Sequence, residues 1–322
     1  MAGPLADALV AQLKELDRWF EGRLVPEPAP SDELVPAERY LEPDFLRDAI
    51  ARAASTQLHA KHYVPGLELP DDDANIDLRI AVSRFTRQYA SSLSAVALVA
   101  LGRGVGLDLS APRCRMIVRS NIPFLVSVET REDEALRCAE RPTTLPASGP
   151  TVATLAELRE HVWRKLYAEN IGPLLERARE VTRVSPRLMW SNVAEWPGLV
   201  SDAADEYLSP ERAAPFVEDR IALLDAPALP GIDGPNPMRG LLEWSDPVPD
   251  MPHGHAYRHV CCVTFYLPDR LGRLCANCPF LTAEERLAMV RERRGVPMGT
   301  PGGPAEQHAI QRGLEKLGLV PR

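Results

Sequence analysis

Apolar residues recur at helical spacing through most of this chain. Leu9, Leu13, Leu16 and Phe20 share one side of Leu5–Arg23, with Lys14, Glu15 and Arg18 between them, which predicts a first helix. A proline-rich connection follows (Pro26, Pro28, Pro30, Pro36). A second helix is expected from Pro43 to about His62, opened by Glu42-Pro43-Asp44, because proline suits the first helical turn. The acidic run Asp71-Asp72-Asp73 precedes a long helical segment from about Asn75 to Leu101, and negative charge suits the start of a helix dipole. The strongest helical pattern is Thr154–Arg183, carried by Leu155, Leu158, Val162, Leu166, Leu174, Leu175, Ala178 and Val181. Gly172-Pro173 is expected to break or kink it. A further helix should open at Ser185-Pro186, serine as N-cap and proline at N1, and carry Trp190, Asn192 and Trp196.

Elsewhere the pattern changes. Cys114–Arg119 and Phe124–Thr130, split by Asn121-Ile122-Pro123, are rich in Ile and Val and predict a hairpin. Leu224–Pro252 reads mostly as loop, followed by an extended segment His259–Leu267 and helices over Thr282–Arg294 and Ala305–Leu317. Gly102-x-Gly104-x-Gly106 follows a helix and leads toward strands, whereas a dinucleotide fingerprint follows a strand and opens a helix. A helix-ending turn is therefore expected there. The fold class is α+β, a predominantly helical body with small antiparallel hairpins. Residues 1–252 form the body, with 1–74 as a helical extension, and 253–322 form a C-terminal cysteine-rich segment packed on it.

Composition narrows the function. The chain has 322 residues, 45% of them hydrophobic and 25% charged, which is ordinary for a globular protein. A net charge of −8 argues against nucleic-acid binding. The longest apolar run, Leu93–Leu101, falls well short of the roughly 20 residues that span a bilayer. With no secretory signal pattern at Met1–Asp7, a soluble cytoplasmic protein without stable membrane insertion is expected. Its cysteines then favour metal or redox duty over disulfides.

Four of the six cysteines fall within Cys261–Cys278, as Cys261-Cys262 and Cys275-x-x-Cys278. A C-x-x-C pair is a compact bidentate ligand. Adjacent residues of a regular strand point to opposite faces, so Cys261 and Cys262 can share a site only where the strand is distorted. Pro268-Asp269 and Gly272 would let the intervening segment fold back and bring the pairs together. Four thiolates suit zinc or a [2Fe–2S] cluster alike. Cys114 and Cys138 stand apart and read as buried thiols; Trp190 and Trp196 read as core.

The cysteine pattern resembles the ferric siderophore reductase (FhuF-like) family. So do Leu101-Gly102-x-x-x-Gly106-Leu107-Asp108-Leu109-Ser110 and Arg187-Leu-Met-Trp190-Ser191-Asn192-Val-Ala, and the likeness spans roughly residues 75 to 280. The family spacing between the pairs is ten residues, and here it is twelve, an insertion a loop absorbs at little cost. The resemblance implies a [2Fe–2S] cluster on Cys261, Cys262, Cys275 and Cys278, an iron–sulfur oxidoreductase, and a ferric siderophore as substrate. No flavin or nicotinamide motif is present, so an external donor, a ferredoxin or an NAD(P)H-dependent reductase, must supply electrons.

Around the cysteines, Arg258, Arg270 and Arg273 are candidates for attracting an anionic siderophore. His253, His255 and His259 could tune a cluster through hydrogen bonds to sulfur, although four cysteines complete the ligand set without them. The rival readings are a structural zinc module in an interaction protein and a siderophore-biosynthesis enzyme of related fold.

Overall fold

The computed structural model describes residues 3–17, 20–58, 78–119, 122–129, 131–248, 254–263 and 274–295. Helix α1 (Pro4–Leu16) buries Leu5, Leu9, Leu13 and Leu16 along one stripe. It stops earlier than its pattern suggests: Asp17 is extended, and Phe20 is buried from a turn instead. Strand β1 (Glu33–Pro36) and helix α2 (Pro43–Leu58) follow, and the expected end of that helix near His62 lies outside the described residues.

Helix α3 (Leu78–Gly102) is the axis of the molecule. It is buried almost all the way round from Ile80 to Leu101, which only a helix packed on every side can be. Its principal neighbour is α6 (Pro186–Tyr207), and it also meets α1, α2, α7 (Pro210–Leu224) and β4 (Ile122–Val128). Small buried residues such as Ser83, Ser91, Ser94 and Ala97 let these neighbours approach closely.

The glycine-rich stretch ends α3, as expected. Gly104 sits at φ +76, and a Cβ there would lie 2.0 Å from the Arg141 carbonyl oxygen. No residue but glycine fits that turn. The chain then enters β2 (Val105–Gly106), β3 (Cys114–Arg119) and β4. Strands β1, β3 and β4 form an antiparallel sheet, with a register shift at Ile117/Val118. Strands β2, β5 (Leu136–Cys138) and β6 (Thr151–Val152) form a second small sheet.

The strong pattern of Thr154–Arg183 is one helical rod in three parts: α4 (Leu155–Trp163), a π segment (Arg164–Ile171) and α5 (Gly172–Thr182). Thr154 and Glu157 cap it reciprocally. The expected kink at Gly172-Pro173 takes the form of widened winding. The Gly172 N–H reaches back five residues to the Tyr167 carbonyl, which makes room for a proline that cannot donate.

Helix α6 begins where Ser185-Pro186 placed it, with proline at N1, though the serine side chain makes no capping bond. Both Trp190 and Trp196 are buried, in agreement with their reading as core. Helix α7 had no sequence expectation. The 224–252 stretch is mostly loop but contains strand β7 (Leu242–Trp244), which pairs with β8 (Ala256–Arg258). The expected extended segment His259–Leu267 is not a strand where it is described: β8 ends at Arg258, residues 259–263 are irregular, and 264–267 lie outside the described residues. The fold is α+β and mainly helical, and α8 (Ala283–Gly295) matches the helix expected over Thr282–Arg294. The segment Ala305–Leu317 and the expected boundary at 252/253 lie outside the described residues.

Candidate metal centre

Two pieces of chain build the site. The β7–β8 hairpin delivers the first, in the register Leu242↔Arg258 and Trp244↔Ala256. Its turn needs Gly254 at φ +69, since a Cβ there would lie 2.1 Å from the Ser245 carbonyl oxygen. Beyond β8 the backbone leaves regular geometry at Cys261-Cys262. Val263 has φ +52, a left-handed conformation that a β-branched residue rarely adopts. The Val263 N–H donates to Cys261 Sγ at 3.3 Å, and the Cys262 carbonyl accepts from Ser83 Oγ of α3 at 2.5 Å. This is the distortion that two adjacent cysteines need in order to serve one site.

The second piece is the turn Cys275-Ala276-Asn277-Cys278, closed by Cys278 N–H donating to the Cys275 carbonyl at 2.9 Å. It runs into α8, which Thr282 and Glu285 cap reciprocally. All four thiols border one pocket together with Arg258, Leu274 and Pro279. Cys262 Sγ and Cys275 Sγ are 3.8 Å apart. Two thiolates at about 2.3 Å from one tetrahedral metal are separated by about that distance. Cys261 contacts Cys262, which draws its thiol pKa down; contact with Cys278 and burial push it up, and the net direction is up. Ligation would therefore release a proton here. Among the described residues, no three His, Cys, Asp or Glu side chains already converge on a single ion. Ile80, Leu274 and Leu281 pack around the cysteines as a small apolar cluster of their own.

Beneath this pocket lies a buried polar network. Arg258, at 1% exposed, donates to Ser191 Oγ at 3.1 and 3.2 Å, to Asn192 Oδ1 at 2.6 Å and to Glu195 Oε2 at 3.2 Å. Arg87 grips the same carboxylate in bidentate fashion, at 2.7 and 2.9 Å. Asn277 Nδ2 donates to Glu195 Oε1 at 2.9 Å, and its carbonyl accepts from the Arg258 N–H at 2.9 Å. Asn192 also holds Ser83, the residue that grips Cys262. Burial would raise the Glu195 pKa, but the guanidiniums of Arg87 and Arg258 outweigh it and hold the carboxyl at about 2. Glu195 is thus ionised at neutral pH.

The other sequence candidates fall away from the pocket lining or outside the description. His255 is buried with Nδ1 at 2.8 Å from Ser245 Oγ, and His259 pairs with Glu243 at 3.1 Å on the surface. His253, Arg270 and Arg273 lie outside the described residues. Of the three arginines only Arg258 is placed, at the pocket with its guanidinium engaged by α6. Sequence reading singled out Ser191 and Asn192 only as part of a family-like stretch, and it missed Ser83, Arg87, Glu195 and Asn277. The available signal was the polar set Ser191, Asn192 and Glu195 at i, i+1 and i+4 of a helix whose flanking Trp190 and Trp196 read as core.

Comparison with known proteins adds a family. The sequence matches the family model described as ferric iron reductase FhuF-like transporter over residues 83–243. The matched span contains Ser83, Arg87, Ser191, Asn192 and Glu195, and Cys261, Cys262, Cys275 and Cys278 lie beyond its end. A search of the curated proteins finds no match. Among solved structures the chain is similar to aerobactin synthetase IucC from a hypervirulent pathotype of Klebsiella pneumoniae, at 13% identity and a TM-score of 0.42. That similarity covers 65% of this chain and 36% of the synthetase.

Proposed function

Because this chain belongs to the FhuF-like ferric iron reductase family, we propose that it reduces siderophore-bound Fe(III) to Fe(II) by one electron at Cys261, Cys262, Cys275 and Cys278. The observation that carries the reading is the gathering of the four thiols at one pocket, with Cys262 and Cys275 at 3.8 Å. Cys262 lies against Cys275, and Cys261 against both Cys262 and Cys278, so the four thiols form one continuous row of contacts able to hold a shared group.

When bound, a [2Fe–2S] cluster would supply a one-electron donor of low potential, near −400 mV in plant-type centres. Siderophores hold Fe(III) far more tightly than Fe(II), and each tenfold preference lowers the bound iron's potential by about 59 mV. A donor of several hundred negative millivolts is therefore required, and an electron delivered to the chelate weakens its grip and releases Fe(II). The protein's own part is to hold the thiolates, exclude water with Ile80, Leu274 and Leu281, and set the local charge through Arg258. The electron is replaced by an external donor, a ferredoxin or an NAD(P)H-dependent reductase. Among the described residues no helix is long and apolar enough to cross a membrane.

The test is anaerobic reduction of ferric siderophores by the dithionite-reduced, desalted protein, with Fe(II) captured by a chromogenic chelator. Wild type should release one Fe(II) per reduced centre. Cys275→Ser should release none above background while keeping most of its helical circular dichroism. Equal Fe(II) release by Cys275→Ser would remove the cysteine site from the reaction.

A further inference from the structure

The polar network under the cysteines has a charge that its hydrogen bonds do not cancel. Arg87 and Arg258 carry two positive charges, and Glu195 carries the one negative charge between them. Burying this much charge is costly unless it compensates something. Arg258 borders the pocket of the four thiols. A cluster or ion held by four thiolates is anionic, and reducing it adds one more negative charge.

The same network is also mechanical. Glu195 reaches Asn277 inside the Cys275–Cys278 turn, Ser191 and Asn192 hold Arg258 three residues before Cys261, and Ser83 holds the Cys262 carbonyl. Helices α3 and α6 thus present a socket into which Arg258 and Asn277 plug from the two cysteine-bearing pieces. We infer that Arg87, Glu195 and Arg258 form a charge-compensating seat that positions the cysteine pairs and sets the reduction potential of the group they hold. Glu195 and Arg258 are positioning residues that act through the thiolates. The redox part of this inference rests on the proposed function; the seating part does not.

The sign of the charge gives a signature that simple loosening would not. Glu195→Gln makes the seat more positive, and Arg258→Gln makes it less so. In the full-length, metal-loaded protein at a fixed solution potential near the wild-type midpoint, Glu195→Gln should raise the reduced-to-oxidised ratio about tenfold. Arg258→Gln should lower it about tenfold, each change equivalent to about 59 mV for one electron. Arg258→Lys and Glu195→Asp, which keep the charges, should stay near wild type, and they carry the test if a glutamine variant fails to fold. Shifts of one sign in both glutamine variants, no shift in either, or displaced values in the charge-keeping variants would overturn the inference.

If wild type shows no reducible centre, the proposed function falls and the seat is read by metal release to a chelator. Arg258→Gln and Glu195→Ala should then each lose their metal about tenfold faster than wild type, and Arg258→Lys and Glu195→Asp should stay near it. Equal rates would overturn the seat on its own terms.

Discussion

Two buried carboxylates in this molecule each sit between two arginines, yet they serve different ends. Asp219 on α7 accepts from Arg141 at 2.6 Å and from Arg159 at 2.6 and 2.8 Å, and Arg141 also meets Glu218 at 3.0 Å. Two positive and two negative charges close on themselves. The arginines remain 13% and 18% exposed, and the group staples α4, α7 and the loop after β5. Around Glu195 no second carboxylate joins among the described residues, Arg258 is 1% exposed, and the surplus positive charge faces four thiols. A neutral cluster among helices holds them together; a charged one at a pocket prepares it for an anion.

The largest effect should come from removing either carboxylate. Glu195→Ala strands two arginines, one of them fully enclosed, and should cost about 3–5 kcal/mol of stability in urea unfolding together with loss of bound metal. Asp219→Ala should cost less, about 1–3 kcal/mol, because its arginines can turn to water, and it should leave the metal content and redox signal unchanged. Equal costs, or a redox shift in Asp219→Ala, would erase the contrast.

A pH series sharpens it. The Glu195 pKa is depressed from an ordinary 4.5 to about 2, so its stabilisation is complete above pH 4.5 and is lost as pH falls toward 2. At 1.36 kcal/mol per pH unit this amounts to about 3 kcal/mol. In metal-free protein, wild type should therefore lose more stability than Glu195→Gln between pH 5 and pH 3. Parallel curves would contradict the ionised, arginine-held state.

The smallest effect concerns the isolated thiol Cys114, which is 1% exposed in β3 and whose pKa burial pushes well up. Iodoacetamide at pH 8 should leave it unmodified in the native chain and label it after unfolding, as mass spectrometry would show. Rapid native labelling would mean that β3 opens.

What could be read from the sequence follows the range of the interaction. Helix α3, the β3–β4 hairpin and the rod from Leu155 to Thr182 announce themselves because their apolar periods are local. Helix α7 did not, since Pro210 and Pro215 resemble loop punctuation although one sits at the first turn. Strands β7 and β8 are three residues each, too short for alternation to register. The cysteines were legible because ligand spacing is a local signature. The seat was not, because it joins Arg87 on α3, Glu195 on α6, Arg258 on β8 and Asn277 in a turn, and nothing local marks such a meeting.

The most direct measurement is an electron paramagnetic resonance spectrum of anaerobically purified protein before and after reduction, with iron and zinc analysis of the same sample. The account requires a silent oxidised state, a signal that appears on reduction, and about two irons per chain. A colourless protein with one zinc and no signal in either state would contradict it.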